Sequence, residues 1–202
     1  MSVNVVEPTR KTGDEPFTNN GEPINANISD FWRWAYSDLL NNIHRGKLAE
    51  FIVASALCVA DGISGTWEKY DITFRGIRIE VKSAAYLQSW HQENLSAISF
   101  DIRPTLGWDA TTGKYDTMQK RQADVYVMCL LKHKDKKTVD PLNLEQWEFY
   151  VVETAMLNEL LAAQKRVSLG FLKKRIAPCD YGDIRNFVGK VCGGERNVVL
   201  SL

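Results

Sequence analysis

The chain is poor in the residues that mark redox, zinc or membrane proteins. It has four cysteines, Cys58, Cys129, Cys179 and Cys192, and no C-x-x-C pair among them, which removes the zinc-knuckle and thioredoxin-like spacings. Cys58 and Cys129 lie within apolar runs, so buried free thiols are expected rather than disulfides. Its three histidines, His44, His91 and His133, show neither H-x-H nor H-x-x-x-H spacing, which argues against a histidine metal site and a His-Asn-His nuclease centre. A Gly-rich phosphate loop, a G-x-S-x-G elbow and a Cys-His arrangement are all missing. No stretch approaches the ~18 apolar residues of a membrane helix. The N-terminal region has no apolar core of a secretion signal, so a cytoplasmic protein is expected. Charge of one sign is not in excess either: Lys+Arg and Asp+Glu both number 25. Net charge therefore makes no case for a nucleic-acid partner and none against a local basic groove.

At 202 residues and 45% hydrophobic, the chain can bury a sizeable core as one domain and is short for two. Residues 1–28 are polar, rich in turn formers and without period, which reads as an arm, disordered or lying against the body, ahead of a single domain over 29–202. Ser29 can cap a helix through DFWRWAYSDLLNN, and IHRGKLAEFIVASALCVADG reads as helical up to Gly62, as one long helix or two. From Trp67 the period changes to two. YDITF and IRIEVK alternate around Arg75-Gly76, SAISFDI is a third strand candidate, ADVYVMCLL is apolar on both faces like a central strand, and WEFYVVE is a fifth. TAMLNELLAAQ follows as a helix. The order implies a mixed α/β sheet with helices packed on its faces.

With Arg75-Gly76 as a two-residue turn, Phe74 faces Ile77, Thr73 faces Arg78, Ile72 faces Ile79 and Asp71 faces Glu80. Two carboxylates then stand roughly 5 Å apart at Cβ on one side of a sheet, where like charges destabilise. Lys82 shares the face of Glu80. A divalent cation between the acids would relieve the repulsion, and hard oxygen donors on two strands suit Mg²⁺ or Mn²⁺. A lysine beside such a site could hold an attacking water or stabilise charge building on a phosphate.

Asp71 followed by Glu80-Val81-Lys82 on the neighbouring strand resembles the PD-(D/E)xK nuclease superfamily, over roughly residues 46–131. Glu50, on the helix before the hairpin, fits a glutamate often found in that pattern, whereas Tyr70 stands where the family usually has proline. The resemblance implies a restriction-endonuclease-like α/β/α core with a central mixed β-sheet of about five strands flanked by helices. It implies that Asp71 and Glu80 bind the metal with help from the Val81 carbonyl, that Glu50 is a further metal ligand or an orienter, and that Lys82 is catalytic. Gln88, six residues past Lys82, matches a glutamine that recurs in several such branches and would position water or DNA.

An acid-x-Lys triplet arises by chance roughly twice in a chain of this composition, and the sequence has two. The second, Asp135-Lys136-Lys137, lies in a hydrophilic run and reads as a solvated loop. Asp124, opening the buried strand, reads mainly as a turn cap. Arg45, just before Gly46, is placed to contact a phosphate, and Lys173, Lys174 and Arg175 lie in a basic stretch suited to a DNA backbone or to a solvated helix face. Trp32, Trp34, Trp90 and Trp108 read as core or interface anchors more than as base-stacking platforms. The long loop from Arg103 to Gln122 and the basic tail would set substrate choice. The expected activity is metal-dependent hydrolysis of DNA phosphodiesters by an endonuclease, with RNA left open as a substrate. The alternative is an inactive nucleic-acid- or protein-binding module on the same scaffold. Cutting two strands with one small site would favour a homodimer.

Overall fold

The computed structural model describes residues 6–65, 68–109 and 112–192, without the side chain of Cys192. The start of the N-terminal arm, Trp67 and the Cys192 thiol lie outside the described residues. In chain order the elements are β1 (Pro16–Asn19), β2 (Glu22–Asn27), α1 (Ile28–Tyr36), α2 (Asn42–Leu57), β3 (Ile72–Phe74), β4 (Ile77–Ala85), β5 (Ser99–Asp101), β6 (Trp108–Asp109) and β7 (Lys114–Tyr115). They continue with β8 (Val125–Leu131), β9 (Trp147–Glu153), α3 (Thr154–Leu160), β10 (Arg166–Ser168), α4 (Leu169–Lys173) and α5 (Ile184–Cys192).

The central sheet is mixed, in the order β3-β4-β8-β9, with β4 and β8 parallel and the other neighbours antiparallel. All seven residues of β8 are buried, as a strand covered on both faces must be. On one face Ile79, Val81, Val127 and Phe149 meet Ile52 and Val53 of α2 and Ile184 and Val188 of α5. On the other, Ala84, Tyr126, Met128 and Tyr150 meet Phe100, Leu157 of α3, Val167 and Leu172 of α4. Alternation along β4 therefore sends its odd residues toward α2 and its even residues, Glu80 and Lys82 included, toward the second face.

The central sheet has four strands rather than about five. The run 96–102 does form β5, but β5 pairs antiparallel with β10 in a separate ribbon. Phe100 and Ile102 pack into the second core from that ribbon, while β8 flanks β4 over Ile79–Ala85 and β3 pairs only with Ile77–Ile79, which leaves the β3-side edge of β4 open beyond Ile79.

The helices also start and stop differently from the sequence reading. Asn27, not Ser29, caps α1, through a reciprocal pair of bonds with Asp30, while the Ser29 hydroxyl donates to the Gly13 carbonyl at 2.9 Å. The chain then breaks: α1 ends at Tyr36, and Asn41 caps a separate α2. That helix closes at Cys58, which is left-handed at φ 59° and donates its N–H to Ala54 and Ser55, well before Gly62. Cys58 is accordingly exposed, whereas Cys129 and Cys179 are buried, and all three are free thiols.

Within the stretch read as a patternless arm, β1 and β2 form a hairpin turning at Asn20-Gly21, both with positive φ. Trp34 is 84% exposed, and Trp32 and Trp90 are also at the surface, so of the expected core or interface placement the core half is corrected for these three; among the described residues Trp147 is the tryptophan of the core. No described helix is long and apolar enough to cross a membrane.

Candidate active site

The hairpin has the register that alternation around Arg75-Gly76 predicts: Ile72 faces Ile79, Thr73 faces Arg78, and Phe74 faces Ile77. Both turn residues have positive φ, 50° at Arg75 and 81° at Gly76, the geometry of a primed two-residue turn. Past Ile72 the ladder closes with the Asp71 N–H donating to the Ile79 carbonyl at 3.0 Å. The Asp71 side chain then turns onto the edge of β4, where Oδ2 accepts the Val81 N–H at 2.7 Å. The N–H and C=O of a strand residue point the same way, so the Val81 carbonyl faces that edge too.

Glu80 and Lys82 lie side by side on the second face, with Lys82 Nζ donating to Glu80 Oε1 in a close ion pair. Glu50 approaches from α2, held at Oε2 by Lys47 Nζ at 2.6 Å and the Ser64 hydroxyl at 3.1 Å. Burial, the charge of Glu80 and, more weakly, that of Glu50 outweigh the Val81 N–H and the Lys82 ammonium, and together push the Asp71 carboxyl up to about 7. Burial works against the Lys82 charge, but Glu80 first, then Asp71 and Asp101, overcome it and hold the ammonium above its ordinary value. Lys82 is therefore a permanent cation at neutral pH, suited to stabilising negative charge and unsuited to accepting a proton.

Of the clefts at these groups, two measure about 390 Å³ each. One, on the second face, is lined by Glu80 and Lys82 together with Lys69, Asp101, Arg103 and Tyr126. The other, on the α2 side, is lined by Glu50 and Asp71 together with Arg10 from the N-terminal segment. Lys69, Arg103 and Arg10 were not singled out in the sequence; Lys69 lies two residues before Asp71, and Arg103 opens the long loop. Nothing in a local pattern marks Arg10.

The acids fit a cation in their chemistry: the Asp71 carboxylate lies on the edge of β4, and burial first, then the charges of Glu80 and Glu50, raise its carboxyl, a cost that a cation would relieve. They are not drawn into a coordination shell: among the described residues no three His, Cys, Asp or Glu side chains stand at metal-holding spacing. Lys82 and Lys47 occupy Glu80 and Glu50 instead.

Other expected residues lie elsewhere. Arg45 is 3% exposed and donates to the Leu40 carbonyl, Asn42, Ser83 and Gln88, so its guanidinium is engaged inside the fold. Gln88 is likewise buried, bonded to Arg45, the Ala85 carbonyl and Ser96, and lines neither cleft. Asp124 pairs with Arg78 and receives its backbone N–H. Lys173 and Lys174 are exposed on α4 and its cap, and Arg175 lies over the Phe171 ring at 4.1 Å; none lines either cleft.

Residues 30–163 match the family model of bacteriophage T4 endonuclease IV, a span that contains α2, the hairpin, the long loop and the whole central sheet. No curated protein and no solved structure matches the chain. The match covers most of the sequence, including Glu50, Asp71, Glu80 and Lys82, and the chain belongs to the bacteriophage T4 endonuclease IV family of nucleases.

Proposed function

We propose that the chain is a Mg²⁺- or Mn²⁺-dependent DNA endonuclease of the PD-(D/E)xK type, with its centre at the open edge of β4. The observation that supports this reading is Asp71 bonded to the Val81 N–H on that edge, close enough for the charge of the neighbouring Glu80 to raise it, with the protonated Lys82 paired to Glu80. Asp71, Glu80, the Val81 carbonyl and Glu50 would hold the ion, which when bound supplies Lewis-acid polarisation of the phosphoryl group and a nucleophilic water at neutral pH. Asp71 binds as the carboxylate, oriented by the Val81 N–H. Glu50 is set in place by Lys47. The Lys82 ammonium, paired with Glu80, stands beside that edge, where it would stabilise negative charge developing on a phosphate. Gln88 acts at a distance, by fastening Arg45, which in turn fastens Ser83 of β4. A homodimer would bring a second centre to the opposite strand of a duplex.

The test uses supercoiled plasmid and single-stranded DNA with Mg²⁺, Mn²⁺, Ca²⁺ or EDTA, for the wild type and Lys82→Ala. Cleavage in Mg²⁺ or Mn²⁺ by the wild type, reduced at least about 100-fold in the variant, is expected from the loss of one preorganised charge. Equal DNA or metal binding by both proteins with no cleavage by either would leave an inactive binding module in place of the nuclease.

A further inference from the structure

Resting on that reading, we infer that Arg10 and Arg103 are two phosphate clamps that grip one polynucleotide strand on opposite sides of the cleavage centre. Two of the clefts at the centre are lined from different faces of the sheet. Arg10 lines the cleft bounded by α2, with Glu50 and Asp71, and Arg103 lines the cleft bounded by Tyr126 of β8, with Glu80 and Lys82. Asp71, which lines the first, is bonded to the Val81 N–H on the edge of β4 beyond the end of β3, and Val81 lies between Glu80 and Lys82, which line the second. A strand whose scissile phosphate sits on that edge leaves it through one cleft in each direction.

Each arginine is exposed and anchored along only part of its guanidinium. Arg10 Nη1 donates to the Asp61 carbonyl, and Arg103 binds Asp101 through Nε at 3.0 Å and through Nη2. A guanidinium has five N–H donors in a planar fork, so both retain donors in a geometry that matches phosphate oxygens. The other ammonium groups of the clefts are engaged: Lys47 with Glu50, Ser64 and the Gly65 carbonyl, Lys69 with Asp116, and Lys82 with Glu80.

The base of the Arg103 loop is tied down by hydrogen bonds. Buried Arg121 ties the Ile102 carbonyl to Asn158 and to the carbonyls of Leu161 and Gln164. Arg103 is thereby held in advance of binding. Neither arginine belongs to the lysine-arginine stretch at 173–175, which lies away from both clefts.

Binding of a short DNA oligonucleotide in Ca²⁺ and in EDTA is measured for the full-length wild type, Arg10→Ala, Arg103→Ala and the matching lysine variants. A set of oligonucleotides carries a single uncharged methylphosphonate at successive positions around the site of cleavage. Each alanine variant is expected to weaken binding about tenfold and to shallow the salt dependence by about one phosphate contact, with partial rescue by lysine. Wild-type binding is expected to drop on neutralising a phosphate on either side. Arg10→Ala loses sensitivity on one side only, and Arg103→Ala on the other. Loss of sensitivity on the same side, or in neither variant, overturns the clamp. If the clamp pattern appears but no metal supports cleavage, the catalytic reading fails while the clamp stands. Cleavage by a wild type whose variants bind as tightly as it does leaves the catalytic reading and removes the clamp.

Discussion

At the scale of single residues, the centre is costly to the fold that carries it. Asp71 takes up its proton at about 7 instead of the ordinary 3.8, because burial and the charges of Glu80 and Glu50 disfavour its ionised form. A carboxyl whose folded value is raised contributes stability that is fully present below its unfolded value. That contribution is lost as pH rises through the folded value, here a window from about pH 4 to about pH 7. Asp71→Asn keeps an oxygen for the Val81 N–H and removes the ionisation. The metal-free variant is therefore expected to be more stable than the wild type at pH 8, by on the order of 1–3 kcal/mol, and to match it near pH 4. Urea denaturation at several pH values reads this directly, and parallel curves would remove the electrostatic account. Adding Mn²⁺ at pH 8 should raise the midpoint of the wild type and leave that of the variant nearly unmoved, since a ligand stabilises the state that binds it. Arg45 illustrates the opposite use of a charge. Its burial draws the guanidinium down to about 10, still ionised at neutral pH, and its donors satisfy Leu40, Asn42, Ser83 and Gln88. Arg45→Ala leaves those acceptors unpaired, so a loss of about 3 kcal/mol in chemical denaturation is expected. A variant of normal stability with weakened DNA binding would restore Arg45 as a phosphate ligand.

At the scale of elements, the β3–β4 hairpin sets the register that brings Asp71 to the level of Glu80. Arg75 occupies a positive-φ position that asparagine tolerates better, and Gly76 one that glycine favours. Gly76→Ala should cost about 1 kcal/mol and Arg75→Asn should be neutral or slightly stabilising, both measurable by thermal unfolding. This hairpin was legible because alternation and turn length determine register together. The β1–β2 hairpin carries the stronger Asn-Gly signal at Asn20-Gly21, yet its strands have every residue exposed or half-buried, so no apolar alternation marked them. The pairing of β5 with β10 was illegible for another reason: it joins segments more than sixty residues apart through three residues each. Within the site, Asp71, Glu80 and Lys82 could be read because they share one hairpin, and Glu50 because its carboxylate interrupts an apolar helix. Arg10 could not, since only the tertiary path of the chain brings it to the α2-side cleft. The burial of Arg45 and Gln88 was equally a tertiary fact, visible once α2 packs on β4.

At the scale of the whole molecule, stability and chemistry are assigned to different depths. The two cores meet on β8, whose seven residues are all buried, and β4 and β9 close over it by full ladders. The segment from β1 to the end of α1 is the reverse. None of its side chains from Pro16 to Tyr36 is buried, and α1 turns Trp34 almost wholly into solvent. Because protection from exchange follows burial and ladder bonding, opening free energies should be graded from one to the other. Hydrogen exchange read by mass spectrometry is expected to show peptides from β8, β4 and β9 exchanging last and at a common rate, that of global unfolding. Peptides covering 16–36 should exchange orders of magnitude sooner, through local opening that leaves the sheet intact. The centre lies at the boundary, with Glu80 and Lys82 on the slow strand β4 and Asp71 just outside the short ladder of β3. A cation bridging Asp71 to β4 joins the two parts, so Mn²⁺ should slow exchange in residues 68–76 while leaving β8 unchanged under native conditions. Protection confined to some other segment would put the metal elsewhere in the fold.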